Sequence, residues 1–175
     1  MIISVAEIKE LINCDWTDAK IERKLKSIEQ LVRKYTNNNF QNRDVRSTAD
    51  VISGAFILNE NIPFAVGDTI QVSNSKLNNG LYTITAIYND TIYVAEDVFE
   101  EENVLITKIE YPADVVDCCI NLIEWDINNR DKIGIASETL SRHSVSYVQQ
   151  NDSNSIGGYP ASIMGALRLY KKARF

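Results

Sequence analysis

The chain has 175 residues, of which 45% are apolar and 24% charged, and a net charge of −6. This length suits one domain, or one domain carrying a smaller second one, and it buries roughly two-thirds of its unfolded surface without a disulfide or metal staple. No apolar run is long enough to span a membrane. The opening MIISVAEIKE has neither a basic leader nor a cleavage pattern. Three cysteines, two of them adjacent, point to a reducing compartment.

Ser4 with Glu7 three residues on is a capping box and opens a first helix, with Val5, Ile8, Leu11 and Ile12 as its apolar stripe. NCDWTD breaks that helix and offers Asp15 or Thr17 as the next cap. A longer helix follows, in which Ile21, Leu25, Ile28, Leu31, Val32 and Tyr35 recur at helical spacing. The run Thr36 to Asn39 stops it.

The period then changes. From about Val51 to Ile109 the segments FILNE, TIQV, LYTITAIY, TIYV and VLITKIEY are rich in Ile, Val, Thr and Tyr and partly alternate. Gly67-Asp68, Asn78-Asn79-Gly80 and Asn89-Asp90 sit where hairpin turns are needed. Five short strands over about sixty residues predict a small, strongly bent barrel of the SH3-like or OB type. Residues 40–111 hold four basic and eleven acidic side chains, against seven and six in 1–39 and seven of each in 112–175. The negative charge therefore belongs to the β-rich stretch.

Pro112 opens another helix, with Val116, Cys119, Ile120, Ile123 and Ile127 as its stripe, Cys118 on its flank and Gly134 as its stop. An extended stretch from His143 to Val148 follows, then a polar, flexible one from Gln149 to Gly158. After Pro160 a short helix carries Ile163, Leu167 and Tyr170 on one face. The expected fold class is α+β: a helical core, 1–39 plus 112–175, with a small β-barrel-like module inserted at 40–111. Insertion costs little where the module's ends lie close together.

The only histidine, His143, stands between Ser141 and Ser144 in SETLSRHSVSY. A catalytic triad needs a serine on a strained turn, an oxyanion hole and an orienting carboxylate, and no G-x-S-x-G elbow occurs. The adjacent Ser144 would point to the opposite face of a strand from the histidine. A structural or interface histidine is the expectation. Cys118 and Cys119 lie about 100° apart on a helix and cannot both face one metal ion. The run Glu100–Glu102 with Glu96 and Asp97 lacks a calcium-loop pattern and reads as a solvated loop. No glycine loop for phosphate occurs, so no metal or cofactor is expected. Nucleic-acid binding by the barrel is disfavoured by its acidity, although Tyr82, Tyr88 and Tyr93 could stack on bases. An acidic surface suits a wall that DNA slides past. The tail, GGYPASIMGALRLYKKARF, combines an apolar face with a basic end. It reads as a helix closing the core, as a docking helix for another protein, or as both.

Three stretches resemble one family. SVAEIKELINCDWTDAKIERKLKSIEQLVRKYTNNNF is similar to the short helix, acidic break and long helix of the head–tail connector (adaptor, or head-completion) proteins of long-tailed phages and prophages of Gram-positive bacteria. YPADVVDCCINLIEWDINNRDKIGIASETLSRHSVSY resembles that family's third helix and the segment after it. GGYPASIMGALRLYKKARF resembles its terminal Gly-Tyr-Pro helix. In the family the connection where this chain carries 40–111 is usually shorter.

The resemblance implies a non-enzymatic virion structural protein of the neck, made in the host bacterial cytoplasm. Such proteins form a ring, typically a dodecamer, beneath the portal protein. The ring extends the channel for DNA, which passes without sequence-specific binding, and offers a platform for the head-closure (stopper) protein and the tail. The expected portal-docking residues are Tyr159, Pro160, Ile163, Leu167, Arg168, Tyr170, Lys171, Lys172, Arg174 and Phe175. Glu138, Leu140, Arg142, His143 and Tyr147 are expected to order the arm and pack between subunits. The competing expectation is a stand-alone binding module whose barrel takes a peptide, a glycan or nucleic acid.

Overall fold

The structure is a computed structural model that describes residues 2–129 and 154–173, and the backbone of 137–140 and 143–146. It is α+β, and the chain divides into two compact units: Asn39–Tyr111, and Ile2–Asn38 with the chain from Pro112 onward.

The first unit is a closed, wholly antiparallel barrel of six strands: β1 (Gln41–Ile52), β2 (Ala55–Leu58), β3 (Thr69–Ser73), β4 (Gly80–Tyr88), β5 (Thr91–Val94) and β6 (Glu101–Ile109). Their order is β1-β2-β5-β4-β3-β6, with β6 closing on β1. The extra strand relative to the sequence expectation is β1. Its first half, QNRDVR, is polar, and buried residues alternate only from Ser47 to Val51. It pairs with β6 along most of its length and turns into β2 at Ser53-Gly54, both with positive φ. That backbone matches the twist of a two-residue hairpin. Asn89-Asp90 joins β4 to β5, and Asn78-Asn79 leads into β4. Gly67-Asp68 is not a hairpin turn: it ends the long connection into β3, whose partners are β4 and β6.

The barrel is filled by Ala49, Phe56, Ile70, Ile84, Ile92 and Ile106 with their neighbours. Each large aliphatic or aromatic side chain so buried contributes roughly 1.5–3 kcal/mol. Its two ends meet. Phe40 O accepts from the Glu110 N–H at 2.9 Å, and the Phe40 and Tyr111 ring centroids lie 5.0 Å apart.

The second unit is built on α1 (Val5–Leu11), α2 (Asp18–Thr36) and α3 (Ala113–Asn129). Ser4 and Glu7 form the capping box, Thr17 caps α2, and Asn37 in the left-handed region ends it. Ile8, Ile21, Leu25, Ile28 and Val32 are buried, but Leu11, expected in the buried stripe of α1, is exposed. The buried face of α3 is also rotated from expectation. It carries Val115, Cys118, Cys119, Leu122, Ile123 and Asp126, while Val116, Ile120 and Ile127 are only half-buried. Adjacent apolar pairs such as Val115-Val116 leave the phase of such a helix ambiguous, and a buried aspartate decided it. Gly134 lies outside the described residues.

Ser137–Leu140 (β7) and His143–Ser146 (β8) form a two-stranded antiparallel ribbon. Ser155–Ile156 (β9) and Tyr159–Pro160 (β10) form a small hairpin around Gly157-Gly158, so this end of the expected flexible stretch is ordered. The chain then runs through α4 (Ala161–Met164) and a 3-10 turn, Ala166–Tyr170. Among the described residues no helix is long and apolar enough to cross a membrane.

Candidate functional site

The tail was the leading candidate for docking, and much of it is spent on its own unit. Tyr159 and Leu167 are buried, as is Met164. Tyr159 donates from its hydroxyl to Asp126 Oδ2 at 2.7 Å. Tyr170 donates to the Asp114 carboxylate at 2.7 Å, which raises its own pKa. The Lys172 N–H donates to Thr36 O at 2.8 Å, Asn37 reaches Ala173 O at 2.9 Å, and the Lys171 ammonium lies 3.9 Å from the Tyr35 ring centroid. These contacts close the helical core. Pro160 and Ile163 are half-buried, and Arg168, Lys171 and Lys172 are exposed. Leu169, not singled out from the sequence, is 86% exposed beside Arg168. Arg174 and Phe175 lie outside the described residues.

Of the second group, Glu138 and Leu140 lie on β7 and His143 on β8, where Glu138 pairs in register with Val145 and Leu140 with His143. Arg142 and Tyr147 lie outside the described residues.

Among the described residues, the cysteines and carboxylates considered for chemistry do not assemble into a site; the side chains of Ser141, His143 and Ser144 lie outside them. Among the described residues no three metal-ligating side chains cluster, and none of the three cysteines is in a disulfide. Cys118 donates to Ile163 O at 3.4 Å. Burial, helped by the Asp114 carboxylate, pushes its thiol up to about 11. Burial raises that of Cys119 further. Both thiols therefore stay protonated and inert near neutral pH.

Sequence reasoning missed a cationic cleft in the helical unit. It has a volume of about 490 Å³ and is lined by Trp16, Lys20, Arg23, Lys24, Ser27 and Asp126, with Ile127 at one side. Residues 20, 23, 24 and 27 share one face of α2, flanking the buried row. That spacing was the readable signal; Trp16 and Asp126 come from the preceding loop and from α3. Lys24 pairs with the buried Asp126 at 2.5 Å, so its charge is largely spent. Lys20 stands 3.8 Å from the Trp16 ring centroid. Lys20 and Arg23 are exposed.

The barrel presents a surface of opposite character. Glu96, Asp97, Phe99, Glu100 and Glu102 are all exposed around the β5–β6 connection. Phe99 is 59% exposed, yet its backbone is clamped. The buried Asn78 amide accepts from the Phe99 N–H at 2.8 Å and donates to the Phe99 carbonyl at 2.9 Å. Beside it, Glu101 accepts from Ser75 Oγ at 2.5 Å, from the Lys76 N–H at 2.6 Å, and from Leu77 and Asn78. Those donors, Ser75 foremost, hold its carboxyl below the ordinary glutamate value. Leu77, on the facing loop, is 63% exposed. Tyr88 and Tyr93 are also exposed, edge to face at 5.8 Å.

No family model matches the chain, and no curated protein matches it significantly.

Proposed function

We propose that this chain is a head–tail connector of a long-tailed phage or prophage: a virion structural protein that forms a ring beneath the portal, extends the DNA channel and carries the head-closure protein and tail. The observation that supports this best is the composition of the helical unit. The stretches that resemble the connector family lie at opposite ends of the sequence, before residue 39 and after residue 111. They belong to one compact unit, and the barrel stands between them as a separate one. A connector core with an acidic insertion has that organisation. Work of this kind needs surfaces and no catalytic constellation.

In this reading the portal contact falls to the exposed part of the tail, where Leu169 stands beside Arg168, Lys171 and Lys172. A single apolar side chain with a few cations binds weakly alone, and a ring multiplies it through effective concentration. The acidic barrel repels DNA phosphates and so does not retard the passing genome. The test is co-sedimentation with purified portal particles. Saturable, salt-sensitive binding that falls when Leu169 and Arg168 are replaced together by Asp is the expected result; no binding by the folded protein would overturn it.

A stand-alone binding module is the second reading, favoured by the exposed Tyr88–Tyr93 pair on the barrel. It requires binding of a peptide, glycan or oligonucleotide without any portal, lost on Tyr88→Ala.

A further inference from the structure

We infer that the acidic, Phe99-tipped loop of the barrel in one copy of this protein docks into the cationic Trp16–Lys20–Arg23 cleft of a second copy. The two surfaces are complementary in charge, and the cleft has room for the ring that the loop presents. The loop offers one exposed aromatic ring flanked along the chain by the exposed Glu96, Asp97, Glu100 and Glu102. The cleft offers two exposed cations, an aromatic wall and about 490 Å³, room for an aromatic side chain and part of its neighbours.

The loop is built to present that ring. Both backbone polar groups of Phe99 are held by the buried Asn78 amide, and the adjoining strand start is held by Glu101. An aromatic side chain on a backbone already ordered binds with little further entropy loss, which is how interface anchors reach their effect. Left in water, an apolar ring on so rigid a mount among four carboxylates has no role in the barrel's own core. The cleft likewise has a reason to accept an acidic visitor. Lys24 is already paired with Asp126, whereas Lys20 and Arg23 have no carboxylate partner among the described residues. Lys20 lies on the face of Trp16 and can swing to an incoming carboxylate, baring the indole for Phe99. Asp15, exposed next to Trp16, opposes this, while Asp126 in the lining is already paired with Lys24.

Knob and cleft are different surfaces of the same chain, so the contact can repeat head-to-tail. Each copy gives a loop to one neighbour and a cleft to the other, the arrangement that generates rings or filaments. The inference stands on charge and on the room in the cleft, and does not depend on portal binding. Charge complementarity of this kind makes association steep in salt.

The test is sedimentation of the full-length protein at low and high salt, with two variants. Lys20→Glu with Arg23→Glu removes the cleft's charge, and Phe99→Ser with Glu100→Lys removes the knob; all four residues are exposed, and circular dichroism checks the fold. The wild type should self-associate with a dissociation constant in the roughly micromolar-to-millimolar range, weakening as salt rises. Each variant alone should lose about tenfold or more in affinity. Mixed, the cleft variant still has a knob and the knob variant still has a cleft. They should pair one to one and go no further. A wild type that stays monomeric to roughly millimolar concentration at low salt would overturn the inference. So would variants that associate like the wild type, or a mixture that does not pair.

Discussion

Tyr159 donates its phenolic hydrogen to Asp126 Oδ2 at 2.7 Å, and both side chains are buried. The same carboxylate oxygen meets Lys24 Nζ at 2.5 Å, and the Tyr159 ring stands edge-on to Trp125 with centroids 5.5 Å apart. One residue of the terminal hairpin thus closes the space between α2 and α3 and forms part of the support beneath the cationic cleft. Tyr159→Phe keeps the ring and removes one hydrogen bond to a charged group. The expected loss is about 1.5–3 kcal/mol of unfolding free energy. Lys24→Met leaves the buried Asp126 without its counter-charge and should cost more, about 3–5 kcal/mol. Urea titration followed by tryptophan fluorescence reads both, because Trp16 and Trp125 both lie in the helical unit.

Gly157 turns the terminal hairpin at φ 60°, and a Cβ there would fall 2.8 Å from Leu31 Cδ1 on α2. Gly157→Ala therefore meets both a left-handed backbone penalty and a clash, eased only as far as the leucine can move. A loss of about 1–2 kcal/mol from the backbone alone is expected, with the clash adding to it. Gly54→Ala, at φ 79° with nothing within 4 Å, is the matched comparison and should show the backbone part alone. Equal losses at the two sites, read by denaturant titration of each unit, would contradict the packing of the hairpin on α2.

Glu101 organises the loops that present Leu77 and Phe99, and its carboxyl is held below the ordinary value of 4.5, first by the Ser75 hydroxyl and next by the Lys76 N–H. A carboxyl lowered in the folded state stabilises it above the unfolded pKa, and that stabilisation is lost as pH falls through the folded pKa. The loops should loosen in acid, below the ordinary glutamate range, while remaining tight at neutral pH. Hydrogen exchange at the amides of Lys76, Leu77 and Phe99 follows this directly. Glu101→Gln should raise exchange at neutral pH and flatten its dependence on acid.

Excision of the barrel should leave the helical unit folded. The module leaves and re-enters at neighbouring points, since Gln41 pairs with Ile109 and Phe40 with Glu110. A short Gly/Ser linker replacing residues 41–110 has little distance to cover, and its closure entropy is small. Cooperative unfolding of the remaining helices, seen by circular dichroism, is the expected outcome. Loss of the helical signal would mean that the barrel is needed for folding.

What could be read in advance follows local chemistry. Ser4 with Glu7, Thr17 and Asn37 bound their helices because caps act within four residues, and Asn89-Asp90 marks its hairpin for the same reason. Strand β1 escaped notice because Arg43, Asp44 and Arg46 give its first half no alternation; its pairing with β6, some sixty residues on, makes it a strand. The phase of α3 was misread because Asp126 is buried, and it is buried because Lys24 and Tyr159, far apart in sequence, satisfy it. The tail was legible as an apolar face with a basic end. That Leu167 is covered and Leu169 bare follows from their two-residue separation, which puts them on opposite sides of any helical turn. The cationic cleft was half legible, in the spacing of Lys20, Arg23, Lys24 and Ser27. Its wall and floor come from Trp16 and Asp126, which only the fold brings together.

The central claim is that this chain caps a portal. An electron-microscopy reconstruction of the protein mixed with its cognate portal particles tests it most directly. The expected result is a continuous ring of added density on the tail-facing end of the portal, with the helical unit in the ring and the exposed edge of the tail, Arg168–Lys172, against the portal. Portals that remain bare at saturating concentration of folded protein would contradict it.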